Sequence, residues 1–551
     1  MTPMTHTPRR MPVLMTVAMM LAVTLLAASC GSSGTSNGNA KTPTTEAPTG
    51  ISTNIPANEG TPKEGGSLAF GLEAETDSLN PATGRWAISG HMVASSIFDP
   101  LATLDADGHV IPYLAESFDH SDDFKTWTIH LRDGVQFQDG TPVDGTAVAR
   151  NLNTYQEALI TGAAMKQVGT ITATDALTVT ITTTQPWGDL PNVFVAQAGY
   201  IAAPAMLDNP HGGDSPIGSG PFTFREWVKN DHVTVVKNTN YWQKGLPHLD
   251  QIRWIPISDS ADRLTALEDG TINAMNTVTP QTINSVRANP DLYYAEYGNG
   301  EELHVPLNTL KPPFDNLKAR QAVAYATDQA TYISKLGAGV YTPANGMFAP
   351  GQLGYSEDSG YPQFDLEKAK QLVQDYETET GKPLEFTLLA VSEVQYAQQD
   401  QLLKEMWEAA GMKVTLDSQA QADQIIQVIL GNYQAADFRL FGQPDPDSDF
   451  YWWSSGTVAP VGGVSLNMSR FANSTTDAAL AEGRATTDEA TRNEAYQRFE
   501  QEWNANVPYV WLARTDWMIA SDKTVHGYLP ALNGSIASVI PKTWIANLWI
   551  G

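Results

Sequence analysis

The sequence predicts an α/β protein with more than one domain. After a polar N-terminal stretch the chain continues for about 485 residues without a low-complexity run, which is more than one hydrophobic core holds. Its first part alternates short strand-like segments with hairpin turns such as Asp139-Gly140. From Pro313 onward, strand-like segments alternate with amphipathic helices, an order that favours a mixed α/β lobe over a helical bundle.

Residues 1–29 are predicted to be a secretory signal peptide. Arg9 and Arg10 precede an apolar run from Met11 to Ala28 that ends in small residues. The alternative is a retained membrane anchor, but the run is at the short limit for a spanning helix and contains a proline and two threonines. Cleavage after residue 29 makes Cys30, the only cysteine in the 551 residues, the first residue of the mature chain.

Residues 30–66 are predicted to form a flexible tether. They are rich in Gly, Ser, Thr, Pro and Asn and nearly devoid of large apolar side chains, so they cannot bury enough surface to offset their conformational entropy. No cysteine follows Cys30, and disulfides therefore contribute nothing to the stability of the globular part.

The charge balance argues against nucleic acid as a partner. The chain carries 33 basic and 61 acidic residues, a net charge of -28, and has no cluster of Lys and Arg of the kind that binds phosphates. We interpret the excess of acidic residues as a solvated surface.

The sequence predicts no enzyme, no cofactor and no metal site. It contains no HExxH, CxxC, GxxxxGK[ST] or GxSxG motif, and its ten histidines include no pair at i, i+4. Asp445, Asp447 and Asp449 resemble the start of a calcium loop, but Phe450 replaces the required glycine and Gly456 the bidentate glutamate. A turn rich in Asp and Pro is the plainer interpretation.

Several long stretches resemble one family, the extracytoplasmic solute-binding proteins of family 5, which are the peptide- and nickel-type receptors of ABC importers. The stretches are "LAESFDHSDDFKTWTIHLRDGVQFQDGTPVDGTAVARNL", "GSGPFTFREWVKNDHVTVVKNTNYWQKGLPHLDQIRW", "HVPLNTLKPPFDNLKARQAVAYATDQ" and "LFGQPDPDSDFYWW". They occur in the family's order, and the resemblance runs from about Ser67 to the end of the chain.

The resemblance implies a two-lobed, periplasmic-binding-protein-like α/β fold with an extra β-rich subdomain inserted in the N-terminal lobe. We assign lobe I to residues 67–98, 216–303 and 525–551, the insertion to 99–215, and lobe II to 304–524. The chain is expected to cross between lobes near Leu303 to Thr309 and near Ile519 to Val525.

The function that the resemblance implies is capture of a solute in the cleft between the lobes and delivery to a membrane permease. Oligopeptides are the leading ligand, and a sugar, an opine-like compound or a metal chelate is the alternative. Two other classes remain open, an extracellular peptide hydrolase and a surface interaction protein without solute capture. The protein is expected to be a monomer.

The resemblance also implies a lipid anchor at Cys30 that holds the protein on the extracytoplasmic face of the cell membrane. Lipoprotein signals usually have leucine three residues before the cysteine, whereas this chain has Ala27 there and Leu26 one position earlier. Ordinary signal peptidase would cut at the same bond, so acylation of Cys30 stays open.

Two segments match the cleft-lining parts of the family, with Trp86 and Trp452 as candidates for an aromatic wall. In sequence order, the predicted ligand-binding residues are Glu75, Thr76, Trp86, Leu440, Phe441, Gly442, Gln443, Asp445 and Trp452. Gly442 stands where peptide receptors carry the aspartate that holds the ligand's α-ammonium. Either Asp445 or Glu75 replaces that aspartate, or the ligand is not an ordinary free-amine peptide.

Overall fold

The structure is a computed structural model that describes residues 51–105, 109–392, 394–440, 445–527 and 544–551. The predicted signal peptide, Cys30 and three predicted ligand-binding residues (Phe441, Gly442 and Gln443) lie outside the described residues. No helix in the described ranges is long and apolar enough to cross a membrane.

The elements are numbered in chain order. The strands are β1 (Ile51–Thr53), β2 (Ser67–Leu72), β3 (Ala102–Leu104), β4 (Val110–Pro112), β5 (Ala115–His120), β6 (Thr126–Leu131), β7 (Val168–Asp175), β8 (Thr178–Thr183), β9 (Phe222–Val228), β10 (His232–Lys237), β11 (Gln251–Pro256), β12 (Ala274–Thr277), β13 (Leu292–Pro306), β14 (Glu385–Val391), β15 (Lys413–Gln419), β16 (Ala435–Ala436), β17 (Phe438–Leu440), β18 (Tyr509–Asp522), β19 (Val525–His526) and β20 (Trp549–Ile550). The α-helices are α1 (Ile88–Ile97), α2 (Gly145–Glu157), α3 (Thr161–Ala164), α4 (Pro204–Asp208), α5 (Ser260–Glu268), α6 (Pro280–Ala288), α7 (Leu317–Ala326), α8 (Gln329–Leu336), α9 (Leu366–Thr380), α10 (Val394–Ala409), α11 (Gln421–Leu430), α12 (Phe450–Trp453), α13 (Ser474–Arg484), α14 (Glu489–Asn506) and α15 (Trp544–Asn547).

Lobe I is built on a large mixed sheet with the strand order β1-β13-β18-β12-β2-β11-β10-β9. Strand β2 lies in its middle and pairs in parallel with β11 and β12. Helix α1 is buried along its whole length, and its residues Met92 and Ile97 belong to the same core as Phe70 and Trp254 of the sheet. The loop that follows β2 therefore starts from the end of a central strand of this sheet.

A second, antiparallel sheet has the order β5-β6-β8-β7 and its own hydrophobic core. On β6, Trp127, Ile129 and Leu131 are buried and their neighbours are not, the alternation of a strand with one face against a core. This sheet lies within residues 99–215, the segment predicted as an insertion.

Lobe II contains the parallel sheet β15-β14-β16 and most of the long helices. The apolar spacing of "DLEKAKQLVQDYETET" predicts a helix, and the segment forms α9. The Asp365 side chain caps its first turn, and Gly381, with a left-handed φ of 68°, ends it. The apolar spacing of "NLKARQAVAYATDQATYISKL" predicts one helix from residue 316, but the segment forms two, α7 and α8. Asp328 caps the second start by accepting from the Thr331 amide.

The lobes share two long antiparallel strands, β13 and β18. On β13, Ala295 packs in the core of lobe I and Leu303 in the core of lobe II. On β18, Ala513 lies in the lobe II core and Trp517 in the lobe I core. The crossings therefore lie inside continuous strands, a few residues before the predicted positions.

The chain joins lobe I earlier than the predicted tether boundary at Gly66. Strand β1 pairs with β13 over Ala295–Tyr297, and the Asn54 side chain donates to the Leu292 carbonyl at 2.9 Å. Ile55 is only 7% exposed. The composition of residues 30–66 taken as a whole conceals this short strand-forming stretch.

Asn308 fixes the turn by which β13 reaches the strands of lobe II. Its amide donates to the carbonyls of Gly431 and Tyr433 at 3.0 and 3.1 Å, and its oxygen accepts from the Leu310 amide at 3.2 Å. We expect Asn308→Ala to lower the free energy of unfolding by about 2–4 kcal/mol, because it leaves buried backbone groups unpaired. Urea unfolding measures this. The control Asn432→Ala, at an exposed position of the same region, is expected to stay within about 0.5 kcal/mol of the wild type, and an equal effect of both changes contradicts the assignment.

Candidate ligand-binding cleft

A cavity of about 170 Å³ lies between the lobes. Lobe I contributes the segment Arg85–Ile88 and Glu73, the second sheet contributes Ile160 from its neighbouring loop, and β13 contributes Glu301 and Leu303. Lobe II supplies the rest of the wall, which comprises Val391, Tyr396, Gln399, Gln421, Gln424, Ile425, Ile429, Asp437, Phe438, Arg439, Leu440, Trp452, Leu466 and Met468.

Most of the cavity wall is apolar. The Trp86 and Trp452 rings face it together with Leu440, Leu466 and Met468. The Trp86 side chain is held in place because its Nε1–H donates to the Ser78 carbonyl at 2.6 Å. Such a wall binds the apolar part of a small organic solute by excluding water from it.

One guanidinium is shared by two carboxylates at the cavity. Arg439 donates to Glu301 at 3.0 Å and to Glu73 at 2.9 Å, which joins the loop after β2 to the strand β17. Although burial opposes it, the charges of Glu301 and Glu73 raise the pKa of Arg439 above its usual value. Burial raises the pKa of Glu301 against the opposing charge of Arg439.

A third carboxylate, Asp437, borders the cavity next to this group. It accepts from Gln399 Nε2 at 2.6 Å, and Gln399 in turn accepts from the Tyr332 hydroxyl at 2.5 Å. Burial raises the pKa of Asp437, while Arg439 opposes the shift. Burial and the charge of Asp437 raise the pKa of the neighbouring Asp400. In the described part of the chain Asp437 forms no ion pair, so this end of the cavity favours a cationic group.

Strand β17 presents its backbone to the cavity. Phe438, Arg439 and Leu440 all line it, although consecutive side chains of a strand point to opposite faces, so the edge of the strand must border the space. On its other side β17 pairs with β13, and among the described residues no second strand pairs with it. An extended ligand can add to such an edge through backbone hydrogen bonds.

Trp86, Leu440 and Trp452, three of the predicted ligand-binding residues, lie at the cavity. Glu75 and Thr76 do not line it. The Glu75 carboxylate accepts from Trp227 Nε1 at 3.1 Å and from the Asn230 amide at 2.6 Å, both within lobe I. The binding roles of these residues stay predictions.

Asp445 and Asp447, two of the aspartates in "DPDSDF", bind arginines. Asp445 pairs with Arg492 at 2.6 Å and Asp447 with Arg484 at 2.5 Å. In the described ranges, no group of three His, Cys, Asp or Glu side chains is placed to hold a metal ion. Asp445 therefore lies outside the cavity wall, with its carboxylate occupied.

Sequence reasoning missed the charged residues of the cavity, which are Glu73, Arg85, Glu301, Asp437 and Arg439. A signal for two of them is present in "AADFRLFG", where Asp437 and Arg439 alternate with apolar residues in a short strand-like segment. Charged residues in such a segment are costly to bury unless they pair or bind a ligand.

Two lobes joined by a pair of shared strands, with a cavity between them, define a class of protein, the two-lobed solute-binding proteins. The model of the bacterial extracellular solute-binding proteins, family 5, middle region, matches residues 109–460. The chain belongs to this family, and it is a substrate-binding protein of an ABC importer; the family consists of solute-binding receptors and not of enzymes.

Individual relatives agree with this assignment. The glutathione-binding protein GsiB of Pectobacterium atrosepticum is 28% identical over 464 residues, which cover 82% of this chain and 89% of that protein. The structure of AgaA from A. tumefaciens R10 in complex with agropinic acid is 27% identical with a TM-score of 0.79, covering 88% of this chain and 99% of AgaA. DppA from Helicobacter pylori in complex with the peptide STSA, 22% identical with a TM-score of 0.78, covers 89% of this chain and 98% of its own and supports the fold alone.

Proposed function

We propose that the protein captures a short peptide or a related amino-acid-derived solute with a free amine, encloses it between the lobes and delivers it to an ABC permease. The observation that carries the proposal is the cavity itself. Among the described residues Asp437 has no ion-pair partner there, and one edge of β17 has no paired strand. The carboxylate suits an ammonium group, and the strand edge suits a peptide backbone.

The size of the cavity favours a ligand shorter than the oligopeptides that the sequence suggested. Its volume of about 170 Å³ is below the roughly 300–1,000 Å³ of sites for drug-sized ligands. A long peptide would need the lobes to lie further apart.

A non-peptide solute is the second candidate. It is favoured by the likeness to AgaA, whose structure holds agropinic acid, whereas the relative GsiB is named for glutathione. A solute with an amine next to an apolar part would use the same groups of the cavity, and only a binding measurement separates the two candidates.

In this proposal Asp437 binds the ligand's ammonium group, the role that the sequence suggested for Glu75 or Asp445. Both of those carboxylates already accept hydrogen bonds from groups outside the cavity.

We further propose that the mature protein is a monomer held on the extracytoplasmic face of the membrane by a lipidated Cys30. Mass spectrometry of the mature N-terminus tests the anchor.

Calorimetry with matched peptides tests the ligand class. We expect di- to tetrapeptides with a free N-terminus to bind, and their N-acetylated forms to bind about 10- to 100-fold more weakly, because acetylation removes the partner of Asp437. Asp437→Asn is expected to weaken only the free-amine peptides.

Glutathione and agropinic acid are titrated in parallel. Heat from agropinic acid with none from any peptide sinks the peptide proposal in favour of the second candidate. Equal affinity for free and acetylated peptides contradicts the role of Asp437. Cleavage of the peptides during incubation, followed by chromatography, would instead indicate a hydrolase.

A further inference from the structure

The loop after β8 reaches across to lobe II through residues that do not line the cavity. Trp187 is fully buried, and its Nε1–H donates to Asp447 Oδ2 at 2.5 Å. The next residue, Gly188, donates its backbone N–H to the Arg484 carbonyl at 2.7 Å. Within its own sheet the loop is fixed by the Trp187 amide and carbonyl, which bond to Phe124 and Trp127.

The lobe II side of this contact is a buried ion pair that Trp187 completes. Arg484 Nε donates to Asp447 Oδ1 at 2.5 Å, and the side chains of Arg484 and Asp447 are 3% and 0% exposed. The guanidinium lies 4.0 Å from the centre of the Trp187 ring and 3.6 Å from that of Phe450. A buried ion pair is favourable only when its remaining hydrogen-bonding groups are satisfied, and here one of the donors comes from across the cleft.

A second ion pair lies beside the first. Arg492 donates to Asp445 of its own lobe at 2.6 Å and to Asp189 of the β8 loop at 3.3 Å. Hydrogen bonds, an ion pair and a cation–π contact therefore join the loop Trp187–Asp189 to lobe II.

At Gly188 the backbone of the loop lies directly against the backbone of lobe II. A Cβ placed there would lie 2.7 Å from both the carbonyl carbon and the oxygen of Thr486 in lobe II, and the three nearest atoms all belong to Thr486. A side chain at Gly188 would therefore clash with the opposite lobe and not with its own sheet.

None of the residues of this contact lines the ligand cavity. We propose that the loop Trp187–Asp189 is a latch that holds the lobes together when no solute is bound. The latch then determines the fraction of solute-free molecules that are in the closed conformation. A ligand that binds the closed state then gains affinity in proportion to that closed fraction. The proposal depends on the solute-binding class of the protein and not on which solute it takes.

Small-angle X-ray scattering of the solute-free protein tests the latch. The full mature chain is freed of co-purified solute by unfolding, dialysis and refolding, and native mass spectrometry verifies that it is empty. The empty wild type is expected to give the scattering curve of the structure described above. Gly188→Ala is expected to increase the radius of gyration, with the closed population reduced about 10-fold or more.

Gly463→Ala is the matched control, since its new methyl group would meet only Pro460 and Ala459 of its own loop. It is expected to scatter like the wild type. Trp187→Phe keeps an aromatic ring but removes the donor to Asp447, and it is expected to shift the curve in the same direction as Gly188→Ala. If Gly188→Ala fails to fold, the scattering curve of Trp187→Phe tests the latch instead. An empty wild type that is already open, or a Gly188→Ala variant with the wild-type curve, overturns the proposal.

Discussion

Replacing Arg439 with methionine is expected to lower the free energy of unfolding by about 3–5 kcal/mol, because it leaves two buried carboxylates without their cation. Glu73 and Glu301 both bind this guanidinium, and their side chains are only 12% and 2% exposed. Urea unfolding followed by circular dichroism measures the change.

The control for Arg439→Met is Arg498→Met, which breaks a pair with Glu482 in which both side chains are about half exposed. That change is expected to cost at most about 1 kcal/mol. Adding Glu73→Gln and Glu301→Gln to Arg439→Met is expected to recover part of the loss, since no uncompensated charge remains. An unfolding midpoint of Arg439→Met equal to that of the wild type would rule out a structural role for this ion triad.

The second large effect is the dependence of stability on pH. Burial raises the pKa of Glu302 and Glu500 from 4.5 to about 8, against the opposing charge of Arg514 and the Phe348 amide, respectively. Burial also raises the pKa of Asp99 to about 6, although it accepts three hydrogen bonds.

A carboxyl with a raised pKa keeps a proton in the folded state that the unfolded chain has already released. Stability therefore falls as the pH rises from the ordinary pKa to the raised one, by about 1.4 kcal/mol per pH unit for each group. His304 opposes this, because burial lowers its pKa to about 3 and the unfolded chain gains a proton below its usual 6.5. The three carboxyls outweigh it, and we expect the free energy of unfolding to fall by several kcal/mol between pH 5 and pH 8.

Urea unfolding at four pH values between 5 and 8 measures this slope. Glu302→Gln is expected to flatten it, since the neutral amide has no proton to release, and the exposed Glu482→Gln is expected to leave it unchanged. If Glu302→Gln has the slope of the wild type, the proton on Glu302 is not the cause.

Elements with strong local signals were predicted well from the sequence. The strand-like segment "FTFREWV" forms β9, and "TRNEAYQRFEQEWNAN", whose apolar residues lie at helical spacing, lies in α14. The Asp139-Gly140 turn is confirmed by the left-handed φ of 85° at Gly140 and by the hydrogen bond from the Phe137 amide to the Thr141 carbonyl. In each case the periodicity or the turn residues act over a few positions and need no distant partner.

The features that depend on distant parts of the chain were not predicted in detail. Strand β13 includes "YGNGEE", in which two glycines favour a turn. Its pairing with β18 shifts register there, between Tyr297 and Glu301, and the strand continues because pairing resumes on the far side. The sequence suggested an aromatic wall with Trp86 and Trp452, and both residues line the cavity. Its charged end combines Glu73, Glu301 and Arg439 from three segments, which no single motif contains.

Strand β1 has a mechanical consequence for the lipid anchor that we propose at Cys30. Residues 51–53 pair with the part of β13 that packs in lobe I, close to where that strand crosses to lobe II. With such an anchor, tension on the N-terminal segment would act on lobe I beside the crossing. The anchor would thus hold the protein next to the strand about which the two lobes open and close.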